Sequence, residues 1–277
     1  MAEALQFLRR NPLAAVGAAM LATILLAILA GPLLSSSPIA IDMARKLAPP
    51  GLAQPLGADF FGRDVLARVL HGGRATLAIG IGVVALAFLA GTAFGIVAGF
   101  LGGWADLVMM RVVDAVLSFP SLVLAIALAA ALGPSLQNAM LAVAIALAPQ
   151  FARLARAQAL SISVLPYVEG AIAAGSTTRG ILWRHILPNG IGPLLVQASL
   201  AVGSAILQTA SLGFLSLGAQ PPSPEWGADV SGNLQYLRET PWAALAPGVA
   251  ILLTVLSFNL IGDALGDWFN PRRRRMD

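Results

Sequence analysis

Residues 75–101 read ATLAIGIGVVALAFLAGTAFGIVAGFL, and this stretch decides the fold class. No charged residue occurs between Arg74 and Asp106. Roughly 20 apolar residues in a helix suffice to cross the hydrocarbon core of a bilayer. A backbone in lipid must also satisfy its own hydrogen bonds, as a helix does. The stretch therefore predicts a transmembrane helix.

Five further stretches share this apolar, nearly uncharged character. The predicted spans are residues 13–34, 75–101, 107–132, 136–151, 191–217 and 242–261. Composition agrees, because only 11% of the residues are charged, whereas a soluble domain carries about 25%. Arg9 and Arg10 before the first span also resemble the start of a signal peptide, but that span exceeds the roughly 7–15 apolar residues of such a segment. An all-α polytopic membrane protein of about six transmembrane helices is therefore predicted.

Small residues recur along one face of the second span. Gly91, Gly95 and Gly99 follow each other at intervals of four residues. Such a stripe lets two helix backbones approach closely in a membrane. We therefore predict that the stripe packs against another helix.

The basic residues orient the chain. Residues 153–190 are named here the central loop. Of the 17 Lys and Arg residues, ten fall on the side of the membrane that holds the two termini and the central loop. Six fall on the opposite side, and Arg111 lies within a span. Cytoplasmic loops carry an excess of Lys and Arg, so the termini and the central loop are predicted to be cytoplasmic. The predicted divisions are a cytoplasmic N-terminus with the first helix (1–34), an extracytoplasmic segment (35–74), a transmembrane domain (75–268) and a basic cytoplasmic tail (269–277).

The central loop contains the start and end signals of two short helices. Pro166 suits the first turn of a helix and Gly175 the position just past a helix end. Ser176 or Thr177 can cap a second helix, which Pro188 is expected to end or kink. We predict that these two helices lie flat against the membrane and that Gly170, Ala171 and Ala174 form a compact small-residue surface, suited to docking into a groove of another protein. By periodicity alone, an amphipathic helix lying at the membrane interface is an equally good interpretation.

Several kinds of site are excluded by residue counts. The chain has no cysteine, which excludes disulfides, thiol catalysis and Cys-based metal sites. Lys46 is the one lysine, and its surroundings do not form the Gly-x-x-x-x-Gly-Lys loop that binds nucleotide phosphates. The net charge of +4 is small and lies in loops, which indicates membrane orientation and not nucleic-acid binding.

The central loop resembles the EAA motif of ABC importer permeases, which has Glu, two small residues, a Gly four positions later and a downstream Ile-Leu-Pro. The corresponding residues are Glu169, Gly170, Ala171, Gly175, Ile186, Leu187 and Pro188. In that family the loop forms a coupling helix that seats in a cleft of the ATPase subunit, and the resemblance implies this role here. Gly170 departs from the usual Ala, which weakens the helix by roughly 0.5–1 kcal/mol but keeps the surface small.

Four more stretches resemble the second permease subunit of the dipeptide, oligopeptide and nickel importers. They are LGAD (56–59) with GRDVL (62–66) and Arg74, RVVD (111–114) with FPSL (119–122), QPPSPEWG (220–227), and FNLIGD (258–263). With the central loop they cover nearly the whole chain in the family's order. The resemblance implies a type I ABC importer permease of the MetI-like fold in a bacterial inner membrane.

The resemblance also implies partners and cargo. The expected partners are a homologous second permease subunit, two ATP-binding ATPase subunits, an extracytoplasmic solute-binding protein and the lipid bilayer. ATP and Mg are expected on the ATPase subunits, with no cofactor, metal or catalytic residue in this chain. The expected cargo is a dipeptide, an oligopeptide or a related small solute.

Two alternatives remain at this point. An ATP-independent secondary transporter predicts charged residues at mid-membrane, and Arg111 with Asp114, three residues apart on one helix face, is the candidate intramembrane pair. A structural pair near the helix end, where Arg reaches the interface, is the favoured interpretation. A membrane-embedded enzyme predicts clustered His, Asp or Glu at one depth, whereas His71 and His185 fall on opposite sides of the membrane by the span count.

Overall fold

A computed structural model describes residues 11–35 and 37–269 of the chain. These residues are mostly helical, and β-pairing among them is limited to one bridge between Ala58 and Asp64. The α-helices are α1 (Pro12–Leu34), α2 (Val65–Leu101), α3 (Gly103–Leu117), α4 (Ser121–Leu132), α5 (Leu136–Ser163), α6 (Pro166–Ala173), α7 (Thr178–Ile181), α8 (Leu187–Phe214), α9 (Trp226–Asn233) and α10 (Pro241–Phe269). Short 3₁₀ turns cover Met43–Arg45 and Leu234–Tyr236, and a π turn covers Leu182–Ile186. The predicted all-α class is confirmed.

Five helical segments are long and apolar enough to cross a membrane. They are α1, α2, α5, the continuous run Thr178–Phe214 and α10. α3 and α4 pass the same test only as a pair, and they are bent by 88° at the break between them. The described part of the chain therefore has five candidate spans, or six when the bent pair counts as one, in line with the predicted number.

The prediction of one continuous helix over residues 107–132 is wrong. α3 ends at Leu117 and α4 begins at Ser121, with Pro120 immediately before it. Proline lacks an N–H and disfavours helical conformation in the residue before it, so the chain turns at Phe119 and Pro120. A hydropathy window averages over such a turn and does not reveal it.

α2 begins at Val65, inside the segment predicted to be extracytoplasmic. The Asp64 side chain caps this helix by accepting a hydrogen bond from the Leu66 N–H at 3.0 Å. With 37 residues, α2 is roughly 55 Å long, well beyond the roughly 30 Å of a bilayer core. The helix is therefore long enough to cross the membrane with its first turns projecting beyond it.

The glycine stripe brings α2 into backbone contact with α5. A Cβ atom added at Gly95 would lie 2.0 Å from the carbonyl oxygen of Ala152, and one added at Gly91 would lie 2.3 Å from that of Ala148. At Gly99 the nearest atom would be a carbonyl oxygen one turn further along α5, at 2.8 Å. The predicted packing role of the stripe is confirmed.

The core lies where α2, α5 and α8 share faces. Val83 of α2, Phe151 of α5 and Ile206 of α8 are fully buried in one apolar cluster. α1 contributes Ile28 to this core and packs against α10, where a Cβ added at Gly17 would lie 2.8 Å from the Cβ of Leu260. The first part of the central loop is the end of α5 itself, so the loop is attached directly to the packed core.

Candidate functional site

The central loop is helical almost throughout. α5 continues past Arg153 to Ser163, and α6 then begins at Pro166. Thr177 caps α7 by accepting a hydrogen bond from the Gly180 N–H at 3.2 Å. The two short helices predicted from Pro166, Gly175 and the Ser/Thr cap are confirmed.

Of the two outcomes expected at Pro188, an end of the helix and a kink, the end is wrong. The run Thr178–Phe214 is continuous, and the π turn Leu182–Ile186 lies within it. Pro188 is the second residue of α8, directly after the π turn, and its missing N–H removes one backbone hydrogen bond from the continuous run. The distortion of the helix therefore lies just before Pro188, and the helix does not end there.

Gly175 ends α6 and redirects the chain. Its φ is +79°, a left-handed conformation that glycine adopts without steric cost. The Gly175 N–H donates to the Ile172 carbonyl oxygen at 2.9 Å, and the Ser176 N–H donates to that of Ala171 at 3.0 Å. This is the hydrogen-bonding pattern of a glycine C-cap, and it fixes the turn into α7.

α6 is anchored on one side and exposed on the other. Val168 is fully buried in the main core cluster. Glu169 and Gly170 are exposed, and Ala171 is half-buried. A Cβ added at Gly170 would have no neighbour within 4 Å. α6 therefore presents a small-residue surface whose position is fixed by the core beneath it.

The other predicted site residues divide between the interior and the surface. Ile186 is 1% exposed and belongs to the core. Leu187 packs partly against the core, and Pro188 is exposed. The structure brings Glu169, Gly170 and Ala171 together on α6, whereas Ile186 and Leu187 secure the start of α8.

The predicted pairing of Arg111 with Asp114 is wrong. Asp114 accepts a hydrogen bond from Arg153 of α5 at 2.7 Å, and Arg111 is exposed and not ion-paired with Asp114. A second pair lies nearby, since Arg156 donates to both carboxylate oxygens of Asp106 at 2.5 and 2.6 Å. Because α3 turns away from α4, its carboxylates meet α5 instead of a neighbour on their own helix.

These two ion pairs were missed because their partners are 39 and 50 residues apart. The available signal was the spacing of Arg153 and Arg156, which lie on one face of an otherwise uncharged helix and need partners there. The pair of Arg156 with Asp106 is bidentate, and such pairs are stronger than ion pairs with a single hydrogen bond. α3 is thus fixed to the part of α5 that leads into α6.

A second polar cluster lies at the start of α2, beside α9. Arg68 donates from Nε to Oδ1 of Asp229 at 2.9 Å, and both side chains are buried. The same guanidinium donates to the carbonyl oxygens of Pro38 and Pro222 at 3.0 and 3.3 Å. One side chain therefore connects α2, α9 and two loop segments, a role that the sequence did not reveal.

Glu225, in the stretch QPPSPEWG, fixes α9 to α2. Its carboxylate accepts hydrogen bonds from the N–H groups of Gly227 and Ala228 at 3.0 and 2.8 Å, which caps α9. It also accepts one from the Thr76 hydroxyl at 3.0 Å. The Trp226 indole N–H donates to the Val69 carbonyl oxygen at 2.8 Å. The short helix α9 is therefore held rigidly over this end of α2.

Asp229 predicts a pH-dependent stability. Burial raises the pKa of Asp229 to about 6, and the adjacent Arg68 opposes that rise. The folded state then binds this proton more tightly than the unfolded state. The contribution of Asp229 to the free energy of unfolding should be largest below about pH 4 and fall as pH rises through 6, by at most roughly 3 kcal/mol. Apparent Tm in detergent, measured between about pH 4 and pH 8, checks this.

Matched variants isolate this contribution to stability. Asp229→Asn keeps the shape of the side chain but cannot ionise, so the fall in Tm attributed to Asp229 should disappear. Asp42→Asn removes an exposed carboxylate and should leave the fall unchanged. An identical pH dependence in wild type and Asp229→Asn would contradict the assignment.

An apolar groove opens beside α9. Leu122 and Ile126 of α4, Phe214 of α8, Val230 of α9 and Ile251 of α10 line it, and its volume is about 350 Å³. A surface of this kind typically marks a binding or association site.

Comparison with known protein families gives two matches. Residues 91–275 match a family described as the binding-protein-dependent transport system inner membrane component. Residues 1–50 match the N-terminal transmembrane domain of oligopeptide transport permease C. The two matched regions include the central loop and the first span.

Curated relatives extend over nearly the entire chain. A dipeptide transport system permease protein of Alkalihalophilus pseudofirmus is 43% identical, with 98% of this chain and 90% of the relative covered. A probable D,D-dipeptide transport system permease protein of Escherichia coli strain K12 is 46% identical, with 98% and 91% covered. A glutathione transport system permease protein of Pectobacterium atrosepticum is 44% identical over 80% of this chain and 74% of the relative.

A solved structure shares the fold. A chain of an inward-facing methionine ABC transporter superposes with a TM-score of 0.58 at 18% identity, covering 70% of this chain and 93% of that one. At this identity the likeness concerns the fold alone. It confirms the MetI-like architecture that the sequence resemblance implied.

Proposed function

This chain belongs to the family of binding-protein-dependent transport system inner-membrane components, and we propose that it carries peptides across the membrane as one half of a translocation path. It is a permease subunit of an ABC importer. Relatives named for dipeptides support di- or oligopeptides as the cargo. The relative named for glutathione extends the class to other small peptide-like solutes.

The exposed surface of α6 is the proposed contact with the ATPase. Glu169 and Gly170 are exposed and Ala171 is half-buried, while Val168 is buried in the core, and this single observation carries the proposal. A small-residue surface can enter a groove of a partner, and its buried anchor transmits the partner's motion. Gly175, Ile186, Leu187 and Pro188 serve to position this helix.

Partner chains supply the energy and deliver the solute. We assign ATP and Mg to two ATPase subunits, because the only lysine, Lys46, lies outside any phosphate-binding loop. A homologous second permease completes the path, and an extracytoplasmic binding protein delivers the solute. The apolar groove between α4, α8, α9 and α10 is the surface that this chain contributes to the path.

The proposed orientation has both termini and the central loop in the cytoplasm of a bacterium. It follows from the excess of arginine on that side and from six crossings with α3 and α4 counted as one. The segment 35–64 and α9 then lie outside. Arg9, Arg10 and Arg272–Arg275, which contribute to the count, lie outside the described residues.

Reconstitution with the gene-neighbour subunits tests this function. The complete complex in proteoliposomes should accumulate a labelled dipeptide only with ATP, Mg and the binding protein. A complex whose ATPase subunits lack the phosphate-binding lysine should show no uptake above empty liposomes. The alternative, a secondary transporter, predicts uptake by this chain without any ATPase when an ion gradient is imposed. Competition by unlabelled dipeptide, longer peptides and glutathione defines the cargo.

A further inference from the structure

Polar side chains form a line along one face of α8, which is otherwise mostly apolar. Gln197, Ser204, Gln208 and Ser211 follow each other at intervals of seven, four and three residues, and such intervals place them on one face of a helix. Gln197 also meets α5, where its Nε2 atom donates to Oε1 of Gln150 at 3.4 Å. We name these five residues the polar track.

The polar track is accessible along the membrane-spanning part of the molecule. Gln150 and Ser204 are exposed, and the other three side chains are partly exposed. Ser204 lies at the midpoint of the predicted span 191–217. Polar groups that face hydrocarbon at such a depth are costly, and they normally face a water-filled cavity or another polar group. This face of α8 is therefore suited to a path for polar molecules and not to contact with lipid.

One end of the polar track lies in the apolar groove beside α9. Ser211 lines this groove together with Leu207 and Phe214 of α8. From there the track continues past Ser204 to the hydrogen-bonded glutamines of α5 and α8, in the direction of the central loop. It therefore extends the groove, which is the surface that this chain is proposed to contribute to the path, through the depth of the span.

The chemistry of the polar track matches that of a peptide backbone. Gln amides and Ser hydroxyls both donate and accept hydrogen bonds, and each non-proline residue of a peptide offers one N–H and one C=O. Oε1 of Gln208 is shielded from solvent and accepts no hydrogen bond from the described residues. An unpaired buried acceptor is costly, and a peptide N–H that moves along this face can satisfy it. The track carries no charge, so it does not select peptides by the charge of their side chains.

We propose that the polar track contacts the peptide in transit, with Gln197 and Ser204 as its main hydrogen-bonding residues. The inference rests on the proposed function, because it assumes a peptide cargo, and it names the side chains that this cargo meets. Successive members of the track are roughly 5–10 Å apart along α8, and an extended dipeptide covers roughly 7 Å. A dipeptide therefore passes from one weak contact to the next and is not held at a single tight site, as rapid passage requires.

The number of peptides transported per ATP tests the proposal. The complete importer is reconstituted in proteoliposomes with the double variant Gln197→Leu with Ser204→Ala. Uptake of a labelled dipeptide and ATP hydrolysis stimulated by the loaded binding protein are measured in the same sample. Loss of two hydrogen bonds to the cargo should lower uptake per ATP by roughly tenfold. The stimulated ATPase rate should stay at the wild-type level, because the surface of α6 is unchanged.

Two control variants separate contact with the cargo from a structural role. Gln197→Asn with Ser204→Thr keeps an amide and a hydroxyl at the two positions and should recover most of the uptake per ATP. Thr23→Ala removes a hydroxyl from an exposed position of another span, α1, and should behave as wild type.

Each outcome decides between specific alternatives. Wild-type uptake per ATP in the double variant, or an equal loss in Thr23→Ala, overturns the proposal. If the double variant loses the second permease during purification, the polar track binds that chain and not the cargo, and the proposal is wrong. Should the double variant give too little folded complex, Ser204→Ala alone is measured in the same way, with a severalfold loss expected. A wild-type complex that takes up no dipeptide with ATP contradicts the proposed function itself.

Discussion

Replacing Gly95 by alanine is expected to destabilise the protein by about 3 kcal/mol or more. The added Cβ would lie 2.0 Å from the carbonyl oxygen of Ala152 and 2.9 Å from its Cα. Both are backbone atoms, so no side-chain rotation relieves the overlap. α2 and α5 must move apart, and the contacts at Gly91 and Gly99 on the same stripe are lost with them. Lower yield of monodisperse protein and a lower apparent Tm in detergent would show this effect.

Gly248→Ala is the matched control. Gly248 lies within α10, and a Cβ at this position would meet nothing within 4 Å. The control should be neutral or up to about 1 kcal/mol more stable, because alanine favours a helix over glycine. If both variants unfold at the wild-type temperature, the close packing of α2 on α5 is not needed for stability.

The spans and the glycine stripe could be predicted because a bilayer imposes strong rules on composition. A helix in lipid must be long, apolar and nearly free of charge, and the residues around Gly95 satisfy this locally. The helix boundaries in the central loop were also local, since Pro166, Thr177 and Gly175 act on their own backbone. Each of these signals requires only neighbouring residues.

Features that depend on distant parts of the chain were not predictable in the same way. The partner of Asp114 follows from the 88° bend between α3 and α4, which places α3 against Arg153 instead of leaving Asp114 to Arg111. The contact between Arg68 and Asp229 joins residues 161 positions apart. Single-sequence periodicity carries no information on such pairs.

α5 is the element that connects the proposed docking surface with the rest of the protein. Its glycine-lined contact with α2, its ion pairs with α3 and its short link to α6 all lie between Ala148 and its end. Movement of α6 is therefore expected to move α2, α3 and α5 together. This coupling depends on the rigidity of the turn at Gly175, which fixes the direction in which α6 faces.

Gly175→Pro is expected to lower ATP-driven uptake by about 100-fold or more. Proline holds φ near −65°, whereas Gly175 has a φ of +79°. Proline also removes the N–H that donates to the Ile172 carbonyl oxygen at 2.9 Å. A conformational cost of roughly 3 kcal/mol reduces the docking-competent population by more than two orders of magnitude. Uptake by proteoliposomes, normalised to the inserted permease, measures the loss.

Gly170→Ala is the matched control, because it replaces a glycine of α6 without changing the turn at Gly175. A Cβ at Gly170 meets nothing within 4 Å, and alanine strengthens the helix by roughly 0.5–1 kcal/mol. Uptake by Gly170→Ala should equal or exceed that of wild type. Membrane insertion of both variants should stay normal, because neither substitution changes the core in which Val168 is buried. Two outcomes would contradict this role of α6 in coupling the ATPase to this chain. One is wild-type uptake by Gly175→Pro. The other is a loss of uptake in Gly170→Ala as large as the loss in Gly175→Pro.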